Sequence, residues 1–575
     1  MHLRKVTKSN GRVYLAIGES FRVDGKTKTR HVETIGYVDE LISDECPDPV
    51  AWWKEEITRR NEQAKEVTSP LIIKFYPSKK IDKHSCGQID LGSAIPSKYF
   101  HCDLGIGSFF ERKRTARKFA YDPCRILELL TWNRISKPTS KRKAWEGRLR
   151  FGRKCEFSLD DMYRCLDYLN TNADGLVKHM NASLEDARGP RNKTRLYYDV
   201  TNYYFEVEEE DGFRMRGVCK ENKPNPIVQM GLLLDGDGIP LDYELFSGNT
   251  NDMLTMLPVM KKASLRRKGS SEDSRIIMVA DKGLNTSANI AACTLDNNGF
   301  ILSQSVRKAP KTLKDWVLDD KDYEKSRSGS FKIKSRMAEK AVYVVGDDGR
   351  RKKVMIDVKE VAFWSRDYCE RSGHERQKVV EKSLAALKRG DASSMAARNS
   401  VRYAKDKPVV RATGEVADHN WVLDKGKIAA DAELDGYYCI ITSELHMDDH
   451  EIIDAYRGLW RIEESFRVLK SDFSARPVYV SREEHIRAHF LICYVALMIM
   501  RLIQVDTNQK YSACTIAEAL HEIVGHRIDA NVYHFDYRTD LTDELCRCVD
   551  IDLTREVMTK SQMNAVMSKV KKPRS

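Results

Sequence analysis

Over the first 45 residues polar and apolar positions alternate in VYLAIGESFRVDGKTKTRHVETIGYV about a turn at Asp24-Gly25, and this period of two predicts a small β-hairpin domain. Residues 46 to 100 keep no clear period and read as a connector, and from 101 to 190 the pattern becomes helical. RLYYDVTNYYFEV (195–207) then reads as a strand, and IVQMGLLLDGDG and IPLDYELFSGN as two more, joined by a turn at Asp235-Gly236-Asp237-Gly238. RIIMVADKGL (275–284) and FILSQSV (300–306) read as fully buried strands, with helices expected over about 252–268 and 285–295. Residues 307–434 break the rhythm with KSRSGSFKIKSR, a hairpin around Gly346-Asp347-Asp348-Gly349 and a charged helix near 370–389, and they read as an insertion. The sheet pattern resumes in DGYYCIITSEL (435–445), a helix over 485–503 is apolar enough to be largely buried, and the last 70 residues read as helical with a basic tail.

One helical segment sorts its charges by geometry. In DAYRGLWRIEESFRVLKSDF (454–473), Leu459, Ile462, Phe466, Leu469 and Phe473 recur at spacings of three and four and make a core-facing stripe. At about 100° per residue, Tyr456, Trp460, Glu463, Arg467 and Lys470 form a second stripe flanking the first. Glu464 points away from the core as a solvated charge, whereas Glu463 sits at the core's edge, where a cleft could use it. A surface helix with Glu-to-Arg and Glu-to-Lys pairs is the bland alternative.

Charge adds a partner class. The formal net charge is +12, but 97 basic residues are interleaved with 85 acidic ones, so local clusters carry more information than the total. One cluster holds Arg112, Lys113, Arg114, Arg117 and Lys118; another holds Lys141, Arg142, Lys143, Arg148, Arg150, Arg153 and Lys154, with Trp145 and Phe151 interleaved. Such density neutralises phosphates, the main source of nucleic-acid affinity, though a solvated face has the same pattern. The polar start MHLRKVTKSNGR lacks the apolar core of a secretion signal, and the longest apolar run, 490–500, is too short to span a bilayer. The expectation is a cytoplasmic protein with no membrane partner, its 14 scattered cysteines reduced.

Three carboxylates stand out. Asp199 interrupts an apolar strand, where burial is costly unless the charge is paired or binds a metal. Asp281 ends a buried strand, where α/β active sites gather, and Glu463 edges the core helix. Brought together they repel one another; divalent cations offset the repulsion, and hard oxygen ligands suit Mg²⁺ or Mn²⁺. Two such ions about 4 Å apart activate a water or a 3′-hydroxyl and stabilise the leaving oxygen of a phosphoryl displacement, the chemistry of nucleases and strand transfer.

With YYDVTNYYFE around Asp199, VADKGL around Asp281, and YRGLWRIEESFRVLK carrying Tyr456, Glu463 and Lys470, the chain resembles the DDE transposases of bacterial insertion sequences, in the branch with a Tyr-Arg-Glu-Lys helix. The resemblance covers about 195–306 and 435–505. It departs where the family arginine falls on Leu459, in the core stripe, leaving Arg457 or Arg461 to supply that charge. The fold it implies is α/β, an RNase-H-like mixed-sheet catalytic core interrupted by a mainly β insertion, with N-terminal β-hairpin and helical DNA-binding regions. The expected divisions are 1–100 (hairpin domain and connector), 101–194 (basic helical DNA-binding region), 195–306 and 435–505 (catalytic core), 307–434 (insertion) and 506–575 (C-terminal helical region).

The resemblance further implies that Asp199, Asp281 and Glu463 are catalytic and ligate two Mg²⁺ or Mn²⁺ ions per active site. Tyr456 and Lys470 would contact phosphate near the cleaved end, with Arg467 and Arg461 as further contacts, and Arg112, Lys113, Arg114, Lys141, Arg142 and Lys143 would bind the terminal inverted repeats. Branch members release their ends through a DNA hairpin and hold a flipped base on a tryptophan of the insertion, for which Trp316, Trp364 and Trp421 are candidates. The implied function is metal-dependent cleavage at the element ends and strand transfer into target DNA, by a homodimer on DNA in the bacterial cytoplasm, associated with the nucleoid. An RNase-H-like nuclease without strand transfer is set apart by whether a 3′-hydroxyl becomes joined to new DNA. A non-catalytic, element-derived DNA-binding factor would carry a damaged set of carboxylates, and all three are present.

Overall fold

The structure is a computed structural model that describes all residues except 9–10, 24–25, 44–45, 69–77, 79, 81–82, 84, 117–119, 220–222, 268–274, 346–349, 391–401, 411–415 and 573–575. It divides into two compact units, Met1–Ser85 and Cys86–Ser575. In the first, β1 (His2–Thr7), β2 (Val13–Val23) and β3 (Lys26–Tyr37) form an antiparallel sheet in that order, one strand more than the expected hairpin, because HLRKVT pairs along the free edge of β2. The expected Asp24-Gly25 turn lies outside the described residues. Part of the expected connector is a helix, α1 (Pro49–Thr68). Its start signal is local: the Asp48 carboxylate accepts from the Val50 and Ala51 N–H groups, and Pro49 occupies the first helical position, where no donor is needed.

The second unit begins with β4 (Gln88–Asp90) and the helices α2 (Ile106–Ala116), α3 (Pro123–Ser136), α4 (Lys141–Glu146) and α5 (Leu159–Arg188). Asp122 caps α3, and the long α5 opens with a reciprocal Ser158–Asp161 capping box. The central sheet then starts with β5 (Arg195–Tyr204), β6 (Ile227–Leu234) and β7 (Pro240–Ser247), an antiparallel meander. β8 (Ile277–Ala280) lies parallel to β5, and β9 (Gly299–Gln304) parallel to β8.

The strands of residues 307–434, expected as an insertion, join the central sheet. β10 (Glu324–Lys325), β11 (Phe331–Val345) and β12 (Arg351–Ser365) prolong the same sheet, and β12 pairs with β15 (Tyr437–Thr442). The order is β10-β11-β12-β15-β9-β8-β5-β6-β7. The cause is the run Val361-Ala362-Phe363, which is buried on both faces once it lies beside β15. α6 (Arg366–Arg389) and an antiparallel pair, β13 (Ala404–Val410) with β14 (Val416–Leu423), complete the segment, and the expected turn at residues 346–349 lies outside the described residues.

The chain returns through α7 (Asp449–Arg457) and α8 (Trp460–Arg467) to α9 (Glu483–Asp506). α9 is long and apolar enough to cross a membrane by composition, but 94% of its most apolar stretch is buried inside the protein, so it is the central core helix. The last segment is not only helical: β16 (Val524–Asp529), β17 (Val532–His534) and β18 (Val557–Thr559) form a small sheet with β4. One hydrophobic core joins α2, α3, α5, α8 and α9 to one face of the central sheet; the other face packs on the helices Met256–Arg267 and Ser287–Leu295.

Candidate active site

Strand alternation decides which way Asp199 faces. Tyr197 and Tyr203 of β5 belong to the core under α8 and α9, whereas Leu196, Tyr198 and Val200 belong to the opposite face, so Asp199 is directed to the α8 side. The register of β5 with β8 pairs Tyr197 with Val279, and continuing it by two residues sets Asp199 level with Asp281. Asp281 stands just past the end of β8 and opens a short 3₁₀ turn, Lys282–Leu284. Asp199 is half-buried and Asp281 exposed.

The segment expected as one helix is interrupted. α7 ends at Arg457, α8 starts at Trp460, and α8 runs into a π-helical turn, Val468–Asp472, closed by the Phe473 N–H donating to the Val468 carbonyl at 2.9 Å. The break falls at Gly458, where any Cβ would collide with the Tyr197 hydroxyl. Twelve residues on, the Lys470 Nζ lies 5.6 Å from the Tyr203 ring centre. From Gly458 to Lys470 a helix advances about 18 Å and from Tyr197 to Tyr203 a strand advances about 20 Å, so helix and strand run side by side in the same direction. Glu463 then lies about 7 Å past Gly458 and Asp199 about 7 Å past Tyr197, which brings the two to one level.

Asp281 is held by two hydroxyls. Ser303 Oγ donates to its Oδ1 at 3.0 Å, and the Tyr456 hydroxyl donates to the same oxygen at 3.1 Å. Its Oδ2 takes no hydrogen bond among the described residues. Burial, and then the adjacent Asp281 charge, raise the Tyr456 pKa above its ordinary value, so the phenol stays protonated and donates. Tyr456, expected at a phosphate, seats its helix on Asp281. Ser303 escaped sequence reasoning; its signal is a hydroxyl inside the buried run FILSQ.

The two adjacent glutamates separate differently from the expectation. Glu463 is exposed and forms no hydrogen bond or ion pair among the described residues. Glu464 is not a solvated charge but half-buried: both its oxygens accept from Arg467, each at 2.7 Å, and this pairing holds its pKa below the ordinary carboxylate value. The correction comes from α9, which packs on that flank: Arg501 Nη2 donates to Ser465 Oγ at 3.0 Å. Arg467 is therefore engaged with Glu464 and with Asp472 at 3.3 Å. Leu459 is buried, Arg457 pairs with Asp454 at 3.4 Å and lies over the Phe331 ring at 5.9 Å, and Arg461 lies between Trp460 and Tyr197, 5.9 Å from the latter ring.

The donor set suits a hard divalent cation in kind, being carboxylate oxygens from three elements, with one oxygen of Asp281 left over by its hydroxyl donors. It is not closed: among the described residues no three His, Cys, Asp or Glu side chains are gathered closely enough to hold one ion.

The basic clusters divide as well. Arg112, Lys113, Arg114, Arg142 and Lys143 are exposed, and Arg117 and Lys118 fall on residues outside the description. Lys141 is buried, its Nζ 2.6 Å from His489 Nδ1, and cannot reach a phosphate. Arg150 pairs with Asp90, and Arg153 joins Arg125 and His101 around the buried Glu128. Of the tryptophans, Trp364 donates to the Asp435 carbonyl at 3.1 Å, Trp316 lies under Arg336 at 4.2 Å, and Trp421 stands half-buried on β14.

Comparison with known proteins gives two family matches. Residues 3–70 match the N-terminal domain of the IS1634 family transposases. Residues 205–499 match the transposase DDE domain, a span that includes Asp281 and Glu463 and starts just after Asp199. No curated protein matches the chain. Among solved structures, the piggyBac transposase synaptic complex with hairpin DNA is similar at 9% identity and a TM-score of 0.35, over 84% of this chain and 85% of that one, a likeness too slight to carry an argument. With more than half its length inside the DDE domain, the chain belongs to the DDE transposases of insertion sequences.

Proposed function

We propose that this transposase cleaves DNA at the ends of its own element and joins the freed 3′-hydroxyl to target DNA, with Asp199, Asp281 and Glu463 as the catalytic carboxylates. The observation that carries the reading is the register of β5 with parallel β8, which, extended by two residues, sets Asp199 level with Asp281 just past the end of β8, together with Tyr456 of the adjoining helix on Asp281. The meander β5-β6-β7 followed by parallel β8 and β9 supports an RNase-H-like core. The three carboxylates would hold two Mg²⁺ or Mn²⁺ ions, which supply an activated water or 3′-hydroxyl and neutralise charge on the displaced oxygen. Tyr456 and Ser303 orient Asp281, and Gly458 lets the chain leading into the helix of Glu463 lie close against Tyr197 of the strand that carries Asp199. Lys470 and Arg461 are the cations of this helix nearest β5 and would meet the scissile strand's phosphates. Two ends joined in one reaction require a pair of active sites, hence a homodimer on DNA. The test is cleavage of a labelled element end with Mg²⁺, Mn²⁺, Ca²⁺ or no metal. Cleavage and joining that need Mg²⁺ or Mn²⁺ uphold the reading, and binding without cutting under every metal overturns it.

A further inference from the structure

α2 and α5 cross at the surface and leave between them a groove of about 490 Å³, lined by Phe109, Arg112, Lys113, Gly175, Lys178 and His179. Its described lining holds three permanent cations and no carboxylate, although the chain as a whole interleaves its charges. The walls are built for this. Gly175 puts no side chain over the Phe109 ring, which floors the groove. Arg112 is aimed by a relay: its Nη2 donates to His179 Nδ1 at 2.6 Å, so that nitrogen is the acceptor, and His179 Nε2 then donates to the Gly105 carbonyl at 2.8 Å. The imidazole is thereby neutral, in agreement with the lowering of its pKa by burial and by Arg112. Lys178, on the opposite wall, is exposed and forms no ion pair among the described residues; Lys113 lies 5.7 Å from the Phe109 ring centre. Of the acidic residues nearby, Asp174 pairs with Lys262 at 2.6 Å, Asp186 acts on His179 only at a distance, and the exposed Glu111 precedes Arg112 on α2 without lining the groove.

We propose that this groove is a seat for the sugar–phosphate backbone of the element's DNA, gripped by Arg112 and Lys113 from α2 and by Lys178 from α5, with His179 as the residue that positions Arg112. The inference rests on the DNA-processing reading above and adds to it a second wall and a mode of contact. The walls offer three cations over an apolar floor and no carboxylate, a lining that suits phosphate, and a grip on phosphate alone holds any sequence equally.

The experiment is fluorescence anisotropy of the full chain with two labelled duplexes, one carrying the terminal repeat and one with its bases shuffled, across a salt series. Lys178→Ala should flatten the slope of log affinity against log salt by about 1 for both duplexes, and Lys113→Ala with Lys178→Ala by about 2. Lys178→Arg should keep the wild-type slope, which separates loss of charge from loss of fold. His179→Phe should weaken both duplexes as Arg112→Ala does and add nothing to it. If the double variant keeps the wild-type slope, the groove is not the seat and the transposase reading stands. If the groove variants lose DNA as expected but the wild type cuts under no metal, the groove stands and the catalytic reading falls. If the wild type binds neither duplex at any salt, both fall.

Discussion

The two flanks of α8 carry similar residues and do opposite things. On the flank toward β5 and β8, Glu463 stands exposed, and Tyr456 at the end of the preceding α7 reaches across to the β8 end at Asp281. On the flank toward α9, Glu464 is clasped by Arg467, and Ser465 accepts from the buried Arg501. The same division separates Lys113 and Lys178, out in the groove, from Lys141, sealed beside His489. Charge type does not separate the two sets; burial or an opposite charge close by does.

The sharpest way to break the contrast is to exchange its members. Glu463→Ala should reduce cleavage of an element end by roughly a thousandfold or more, the several kcal/mol that charge stabilisation at the reacting phosphate supplies. Glu464→Ala should cut within severalfold of wild type; equal losses in a single-turnover assay would erase the distinction. Ser465→Ala leaves a buried Arg501 donor without its acceptor and should cost about 1.5–3 kcal/mol in urea unfolding, while the folded fraction still cuts. Arg467→Ala removes a largely surface pair and should cost no more than about 1 kcal/mol, with little change in DNA affinity.

Lys141 gives a pH signature that no groove lysine shares. Burial, with Arg134 adding repulsion, pushes its pKa down to about 7 from an ordinary value of 10.5. Between those values the unfolded chain holds a proton that the folded chain lacks, so this group makes stability rise with pH across that window, and below about pH 7 its full penalty applies. Lys141→Met should flatten that rise in chemical denaturation between pH 7 and 10 and leave DNA affinity unchanged. A fall in affinity with the fold intact would return Lys141 to the surface cluster.

Much of this was legible in the sequence for reasons that are local. The alternation of RLYYDVTNYYFEV, the buried runs at β8 and β9, and the apolar stripe of α8 each report burial of one face, and each element formed. Illegible features depended on neighbours distant in the chain. Glu464 looked solvated because nothing near it in sequence announces Arg501, and Lys141 looked like its neighbours Arg142 and Lys143 although α9 covers it alone. The sheet that the strands of 307–434 join was not legible, because a sequence shows that a strand forms, not which sheet edge accepts it. Asp48-Pro49 was a readable helix start that the weak period behind it obscured.

Gly458 gives the site one more property. The spacing between the helix that brings Glu463 and the strand that brings Asp199 is governed by an atom that is not there, since the backbone at 458 rests directly on the Tyr197 ring. A spacer made of absence can be lengthened but not shortened, so every substitution at this position pushes in one direction. Glycine here marks the narrowest aperture the scaffold allows between that helix and that strand, a minimum set by chain against ring.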